Sequence, residues 1–425
     1  MTLAAAPAGA SETTDNTAAP MTGLQVLARG GVVSPFTFLR RLLADVETGH
    51  AEPIDMTVGE PHEEMPAFVA DLLRDAEPSL TKYPPIRCSD ALRGAIATWL
   101  GRRFDLSGRT VDAAREVHPL NGSREGLFFA LLPAIGRKIV SQGRPAVLMP
   151  NPYFQAYNGS AMATNAEPVY LEVHADSGYL PDLDALEADQ ALLSRTAAFY
   201  LCSPANPQGA MASAAYIDRA LKLARAYDFM LFCDECYSEI YSTEAPVGGL
   251  EVAAATPEGF RNIVVFNSLS KRSNLPGLRS GFCAGDGDFL ETMAEMRNLV
   301  APQMPGPVQH ASAAVWSDEQ HVSVIRQAYR EKFAVCDEIL SGRFGYQRPD
   351  GGFFLWLDVS ELGGGEQASV TLWKRCGVKV VPGAFLAQAG PTGRNPGENF
   401  VRVALVHDLA TTREALLRIV SAADA

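Results

Sequence analysis

The run of apolar segments along the chain predicts an α/β fold. A large domain is expected on a mainly parallel sheet sandwiched by helices, joined to a smaller α+β domain. Three observations predict it. Short apolar runs bounded by Gly, Pro and Asn recur between residues 146 and 285, with helical patterns between them. After residue 286 the texture changes to long helical patterns and then a few short strands. With 425 residues, 47% of them hydrophobic, the chain can build a substantial core in each part without disulfides or metals.

The elements follow in order. Residues 1–22 are rich in Ala, Thr and Pro and hold no Lys or Arg, so they read as a tail, and residues 1–34 as a flexible arm. A secretory leader needs a basic start and a continuous apolar stretch, and this segment has neither. Met21 is an alternative start. From Pro35 the pattern is helical: Phe36, Phe38, Leu39, Leu42 and Leu43 make an apolar face, with Arg40 and Arg41 opposite. Residues 35–55 are assigned to the small domain, 56–300 to the large domain and 301–425 to the rest of the small domain. A helix is expected over 89–103, where Ser89 can cap and Leu92, Ile96 and Leu100 recur at helical spacing. Strands are expected at 146–149, 168–173, 196–202, 229–233, 262–267 and 281–285, with helices from Phe154 and over 214–227. Helical patterns run from 288 to about 340, interrupted near Pro302 and Pro307. Strands at 353–358, 378–381 and 399–405 and helices at 367–376 and 408–422 complete the chain.

Charge and cysteine usage narrow the function. The formal net charge is −13, so the basic footprint of a nucleic-acid binder is missing and anionic membranes are disfavoured. No run approaches the roughly 20 apolar residues that span a bilayer. Seven scattered cysteines read as reduced thiols in the cytoplasm. Cys233 and Cys236 form a C-x-x-C, but no second pair accompanies them. They read as packed thiols beside a strand end rather than a metal site.

The strand ends carry the chemistry. Residues 262–267 run straight into Ser268, Ser270 and Lys271, with Arg279 eight residues after the lysine. Two hydroxyls and an arginine suit a phosphate, and a lysine beside a phosphate site invites a Schiff base with a phosphorylated aldehyde. Asp234 directly follows an apolar strand, and Tyr237 lies three residues on. A buried carboxylate there can pair with a protonated pyridine nitrogen. Asn206 lies in the turn after the strand at 196–202 and can donate to a ring hydroxyl. Gly122 and Ser123 precede an apolar helix and can offer backbone N–H groups to an anion. Each feature alone is explained by a turn or a cap; four on successive strand ends are not.

From about residue 35 onward the chain resembles a fold-type I pyridoxal 5'-phosphate enzyme of the class I/II aminotransferase family. The resemblance rests on Ser268-x-Ser270-Lys271 followed by Gly277-x-Arg279. It rests also on the order Gly59-Glu60-Pro61, Tyr83, Asn121-Gly122-Ser123-Arg124, Asn206-Pro207, Asp234-x-x-Tyr237, Lys271, Arg402. It implies a seven-stranded sheet and the following roles. Lys271 carries the cofactor and shuttles the proton. Asp234 pairs with the pyridine nitrogen, and Tyr237 and Asn206 bond the phenolic oxygen. Gly122, Ser123, Arg124 through its backbone, Ser268, Ser270 and Arg279 hold the phosphate. Phe154 stacks on the ring. Tyr83 reaches the phosphate of a second subunit, which implies a homodimer with shared sites. Arg402 clamps the substrate α-carboxylate, with Gly59 approaching the substrate through its backbone. Two positions depart from the family pattern: Gln208 stands where Thr is common, and the stacking ring is Phe rather than Trp. Neither removes a catalytic group.

Residues 271–282, with Tyr83-Pro-Pro-Ile-Arg87 upstream, resemble the succinyldiaminopimelate transaminases of lysine biosynthesis, whose amino donor is glutamate. A distal carboxylate would then need a cation, and Arg40, Arg41, Arg87 and Arg272 are the candidates, each also explained as a solvated arginine. Two other readings stay open. Another aminotransferase specificity, a lyase, a decarboxylase or a synthase would share Lys271, Asp234 and Arg402. A non-catalytic regulator on this fold would need an N-terminal DNA-binding domain, for which residues 1–34 are too short.

Overall fold

Seven strands make the central sheet in the computed structural model, which describes residues 21–30 and 33–424. They are β1 (Val117–Leu120), β2 (Ala146–Asn151), β3 (Glu167–Glu172), β4 (Thr196–Cys202), β5 (Met230–Asp234), β6 (Ile263–Ser268) and β7 (Gly281–Gly285). Their order is β1-β7-β6-β5-β4-β2-β3. Only β7 runs antiparallel to its neighbours. Strands β4, β5 and β6 are buried along their whole length, so both faces are apolar and the sequence shows continuous runs rather than alternation. Six strands lie where the sequence pattern puts them. The seventh, β1, escapes that pattern because His118 and Pro119 interrupt its apolar run. As an edge strand paired only with β7, it tolerates the proline.

Helices cover both faces. On one side lie α4 (Ser123–Arg137), α5 (Gln155–Ala163) and α7 (Gly287–Val300), which pack Leu127, Leu131, Tyr157 and Met293 against Phe232 and Phe266. On the other lie α3 (Asp90–Arg103), α6 (Ala214–Tyr227) and α8 (Gly306–Ser317), with Trp99, Ile217, Val315 and Trp316 against Phe199 and Val265. The Ser89 hydroxyl caps α3 by accepting from Leu92 N at 3.3 Å, as its sequence suggests.

A second core gathers α9 (Gln320–Leu340), β8 (Phe354–Asp358), β9 (Phe400–Ala404) and the helices Gly365–Cys376 and Leu409–Asp424. The strand expected at 378–381 is instead two short pairings in different sheets. Val378–Lys379 runs beside Ile54–Asp55, and Val381–Pro382 beside β9. The cores do not change over at residue 300. Helix α8 still packs with the large sheet, and only α9, from Ile325, enters the second core.

Part of the expected arm is ordered structure. Residues 21–30 contain α1 (Gly23–Ala28), closed by a capping box between Thr22 and Gln25. It lies on α5, where a Cβ on Gly23 would come within 2.8 Å of the Met162 carbonyl oxygen. Residues 1–20 of that arm lie outside the described residues. Next, α2 (Pro35–Leu42) buries Leu39, with Leu43, against Val381 and Leu386, while Phe38 is 40% exposed. Among the described residues no helix is long and apolar enough to cross a membrane.

Candidate active site

The carboxyl ends of β4, β5 and β6 and the start of α4 open onto one cleft, where ligands sit in sheets of this kind. Its lining includes Gly59, Ser123, Arg124, Phe154, Asn206, Asp234, Tyr237, Ser268, Ser270, Lys271, Arg279 and Arg402. Residues from across the sequence therefore meet there, and Arg402 arrives from β9 in the second core.

Lys271 sits on the short helix Leu269–Arg272 that follows β6. Its Nζ donates to the Gly59 carbonyl and lies 5.3 Å from the Phe353 ring centre. Burial lowers its pKa from 10.5 to about 8, because the charged form is poorly solvated there. Asp234 is buried at the end of β5. Its Oδ2 accepts from the Tyr157 hydroxyl at 2.7 Å and its Oδ1 from Cys236 N at 3.3 Å. Burial raises its pKa against these hydrogen bonds. The Tyr237 hydroxyl is pushed well up by burial.

An anion cradle forms beside the lysine. The Ser268 hydroxyl accepts from Ser270 N at 3.1 Å and donates to the Ser270 hydroxyl at 2.9 Å. Arg279, in the left-handed region at φ +53°, donates to Pro276 O at 2.9 Å and Asn121 O at 3.4 Å. Opposite it, Gly122 has φ +84°, and a Cβ there would come within 2.3 Å of Arg279 Nη2. Only glycine lets the turn and the guanidinium close together. The first N–H groups of α4, from Ser123 and Arg124, face the same space, and the Arg124 guanidinium lies 5.2 Å from the Phe154 ring centre.

Arg402 is buried. Its Nη1 donates to Asn206 Oδ1 at 3.1 Å and its Nη2 to Thr57 O at 2.7 Å, while Nε has no partner. The guanidinium packs 4.3 Å from the Phe354 ring centre, and burial lowers its pKa to about 10. Among the described residues, Lys271, Arg279 and Arg402 pair with no carboxylate.

Residues 51–419 match the family model described as aminotransferase class I and II. The chain belongs to this family. Enzymes of the family depend on pyridoxal phosphate, and this aminotransferase is similar along nearly its whole length to known members. It is 29% identical to the LL-diaminopimelate aminotransferase of Syntrophobacter fumaroxidans, over 91% of this chain and 96% of the relative. The solved aminotransferase of Neisseria meningitidis is 36% identical, with a TM-score of 0.87 over 93% of this chain and 99% of that one. The probable N-succinyldiaminopimelate aminotransferase of Thermus thermophilus is 26% identical, with a TM-score of 0.78 over 92% and 100%.

The residues of the aminotransferase fit that cofactor. A cradle that closes only around glycine, two hydroxyls, a helix N-terminus and an unpaired arginine suit a phosphate dianion. A buried carboxylate and a lysine of lowered pKa stand beside it. Two expected residues stand apart from the lining: Gly122 lies just behind it, and Tyr83 is 95% exposed on its own chain.

One reading needs correction. None of Arg40, Arg41, Arg87 and Arg272 lines the cleft of the aminotransferase. Arg87 pairs with Glu291, and Arg40 donates to Thr37 at 3.0 Å. Arg272 is neither a ligand for substrate nor a solvated arginine. It is 1% exposed, packs beside both Trp99 and Trp316, and pairs with Glu319 at 2.7 Å. All seven cysteines are buried and free, as packed thiols are, and Cys202 and Cys236 line the cleft.

Sequence reasoning also missed Tyr157, the donor to Asp234. Its position three residues after Phe154 in a helical stretch could have revealed it, since that spacing shares a helix face. Phe36, Val58, Tyr153, Phe354 and Leu386 complete an apolar wall that no motif marks.

Proposed function

We propose that this aminotransferase exchanges amino groups between glutamate and a second 2-oxo acid, and that N-succinyl-LL-2,6-diaminopimelate is the amino compound of the second pair. The meeting of Lys271, Asp234 and Arg402 in one cleft carries the reading. The names of the diaminopimelate aminotransferases among the relatives, and of the Thermus neighbour, support the substrate class.

The residues take these parts. Ser123, Arg124, Ser268, Ser270 and Arg279 would hold the cofactor phosphate, with Gly122 leaving room for Arg279. Asp234, positioned by Tyr157, would hold the ring nitrogen, and Asn206 and Tyr237 the ring oxygen. Phe154 would cover the ring face. When bound, pyridoxal phosphate supplies an electron sink for the charge left at the substrate Cα. Lys271 Nζ would take a proton from the Cα of the donor in one half-reaction and deliver one to the Cα formed from the acceptor in the other, the cofactor's amine form carrying the hydrogen between them. The low pKa of Lys271 keeps a larger share of its amine neutral for this work than an exposed lysine has. Arg402 offers its fork to the α-carboxylate, which orients the Cα–H toward Lys271. Donor and acceptor use the same residues in turn, so the kinetics are ping-pong. Tyr83 would reach the phosphate of a second copy in a homodimer with shared sites.

The apolar wall favours a second reading, an aromatic or aliphatic amino acid as partner of glutamate, because no arginine of this chain beyond Arg124, Arg279 and Arg402 lines the cleft. A panel of amino donors and 2-oxo acceptors, with succinylated diaminopimelate included, decides between them. Turnover of phenylalanine or leucine in preference to the succinylated compound would sink the first reading. Incubation with glutamate alone separates both from a lyase: a transaminase converts its cofactor to the amine form.

A further inference from the structure

Behind the phosphate cradle lies a buried charge pair that no motif marks. Arg297 on α7 is 1% exposed, and its Nη2 donates to Glu125 Oε1 at 2.8 Å. Glu125 stands in the first turn of α4. Its Oε2 accepts from Asn121 N at 2.6 Å, which hooks the turn before the helix. The Asn121 side chain is tied in turn to Pro302 O at 2.9 Å, and its carbonyl accepts from Arg279. Arg297 also donates to Pro119 O at 3.4 Å and to His118 Nε2. Burial, reinforced by the arginine, drives the His118 pKa down to about 3, so its ring is neutral and can accept.

A carboxylate in the first turn of a helix is favourable for that helix. Here it has a cost, since the same N-terminus faces the space for a phosphate dianion, and two anions there repel. We infer that Arg297 is a positioning residue for cofactor binding. It cancels the charge of Glu125, so the hook on Asn121 holds the Gly122–Arg279 cradle without repelling the phosphate. The inference rests on the phosphate-site reading above.

The test uses the full-length enzyme stripped of cofactor and titrated with pyridoxal phosphate and with pyridoxal, which lacks the phosphate. The ratio of the two Kd values is the readout, because a merely structural role moves both constants together. Arg297→Gln should lower the preference for the phosphorylated ligand by about tenfold or more. Arg297→Lys should keep it within about threefold, and Glu125→Gln combined with Arg297→Gln should restore most of it. Equal weakening of both ligands in Arg297→Gln, or no recovery in the double variant, overturns the inference. Should Arg297→Gln fail to fold, Glu125→Gln alone decides. Glutamine still offers Asn121 N an acceptor and leaves the arginine charge unmasked, so the preference should hold or rise, and a fall overturns the inference. A wild-type enzyme that binds both ligands equally would instead sink the phosphate-site reading itself.

Discussion

The cleft and the packing behind it both hold arginines, and they treat them in opposite ways. Behind the cleft, Arg272 meets Glu319 and the Val315 and Asp318 carbonyls beside two tryptophans, and Arg297 meets Glu125. In the cleft, Arg402 meets only the neutral oxygens of Asn206 and Thr57, and Arg279 only those of Pro276 and Asn121. Arg402 is buried while Arg279 is exposed; a buried cation without an anion is costly, and the cost is recovered when a ligand brings the anion. The cations behind the cleft are complete as the chain folds. On the proposal above, the cleft cations would be completed by the ligands. The difference separates arginines already paired within the fold from arginines that, on the proposal above, are left for ligands.

Substitutions can break that comparison. The largest effect should come from Lys271→Ala, which lowers the transamination rate about 10⁴-fold or more while the protein stays folded. Borohydride should then no longer fix the cofactor to the protein, and retained attachment would refute the assignment. Next, Arg402→Ala should cut kcat/KM by about 10²-fold or more, with thermal stability unchanged or improved, because it removes a buried charge that lacks a partner. A large drop in Tm would move Arg402 into the paired class. Arg272→Met should do the reverse. Loss of the carbonyl hydrogen bonds and of the two aromatic contacts should cost about 2–4 kcal/mol of stability, read by urea unfolding, with KM close to wild type. A raised KM without lost stability would erase the distinction.

Two smaller effects sharpen it. Only a neutral amine attacks a carbonyl carbon, and burial lowers the Lys271 pKa to about 8. The rate at which stripped enzyme takes the cofactor up covalently should therefore rise about tenfold per pH unit below 8 and level off above it. Levelling near 10.5, the ordinary lysine value, would mean the lysine is not desolvated. Tyr83→Phe should weaken cofactor retention by about tenfold or less and leave the stability of the single chain untouched, since Tyr83 is 95% exposed. A fully active native monomer would end the shared-site proposal.

Legibility in the sequence followed the range of the interactions. Strands β2 and β4 to β7 were readable because burial makes each an apolar run, and the half-buried edge strand β3 because Val169, Tyr170 and Leu171 stand together. Strand β1 was not, because its burial is a property of the sheet edge it joins and its own residues include His118 and Pro119. Helix α1 was hidden because it is short and follows an Ala- and Thr-rich stretch, and its docking on Met162 of α5 depends on a surface 139 positions away. Lys271, Asp234, Asn206 and Arg279 stood out because each lies in a turn just after a strand or in a motif with local spacing. Arg297 did not, because nothing near it in sequence says that it faces Glu125, and Tyr157 carried only its helical spacing from Phe154 as a signal.

By itself, then, the sequence determined the inventory of chemical groups and the strand ends that carry them, for local spacing and apolar runs specify those. Only the tertiary structure decided which cations are neutralised and which wait for a ligand. Arg272 finds its carboxylate 47 positions away, whereas Arg402 reaches across 345 to a carbonyl and 196 to an amide and meets no anion. Charge pairing acts through space over a few ångströms, and only the fold sets which distant residues come that close.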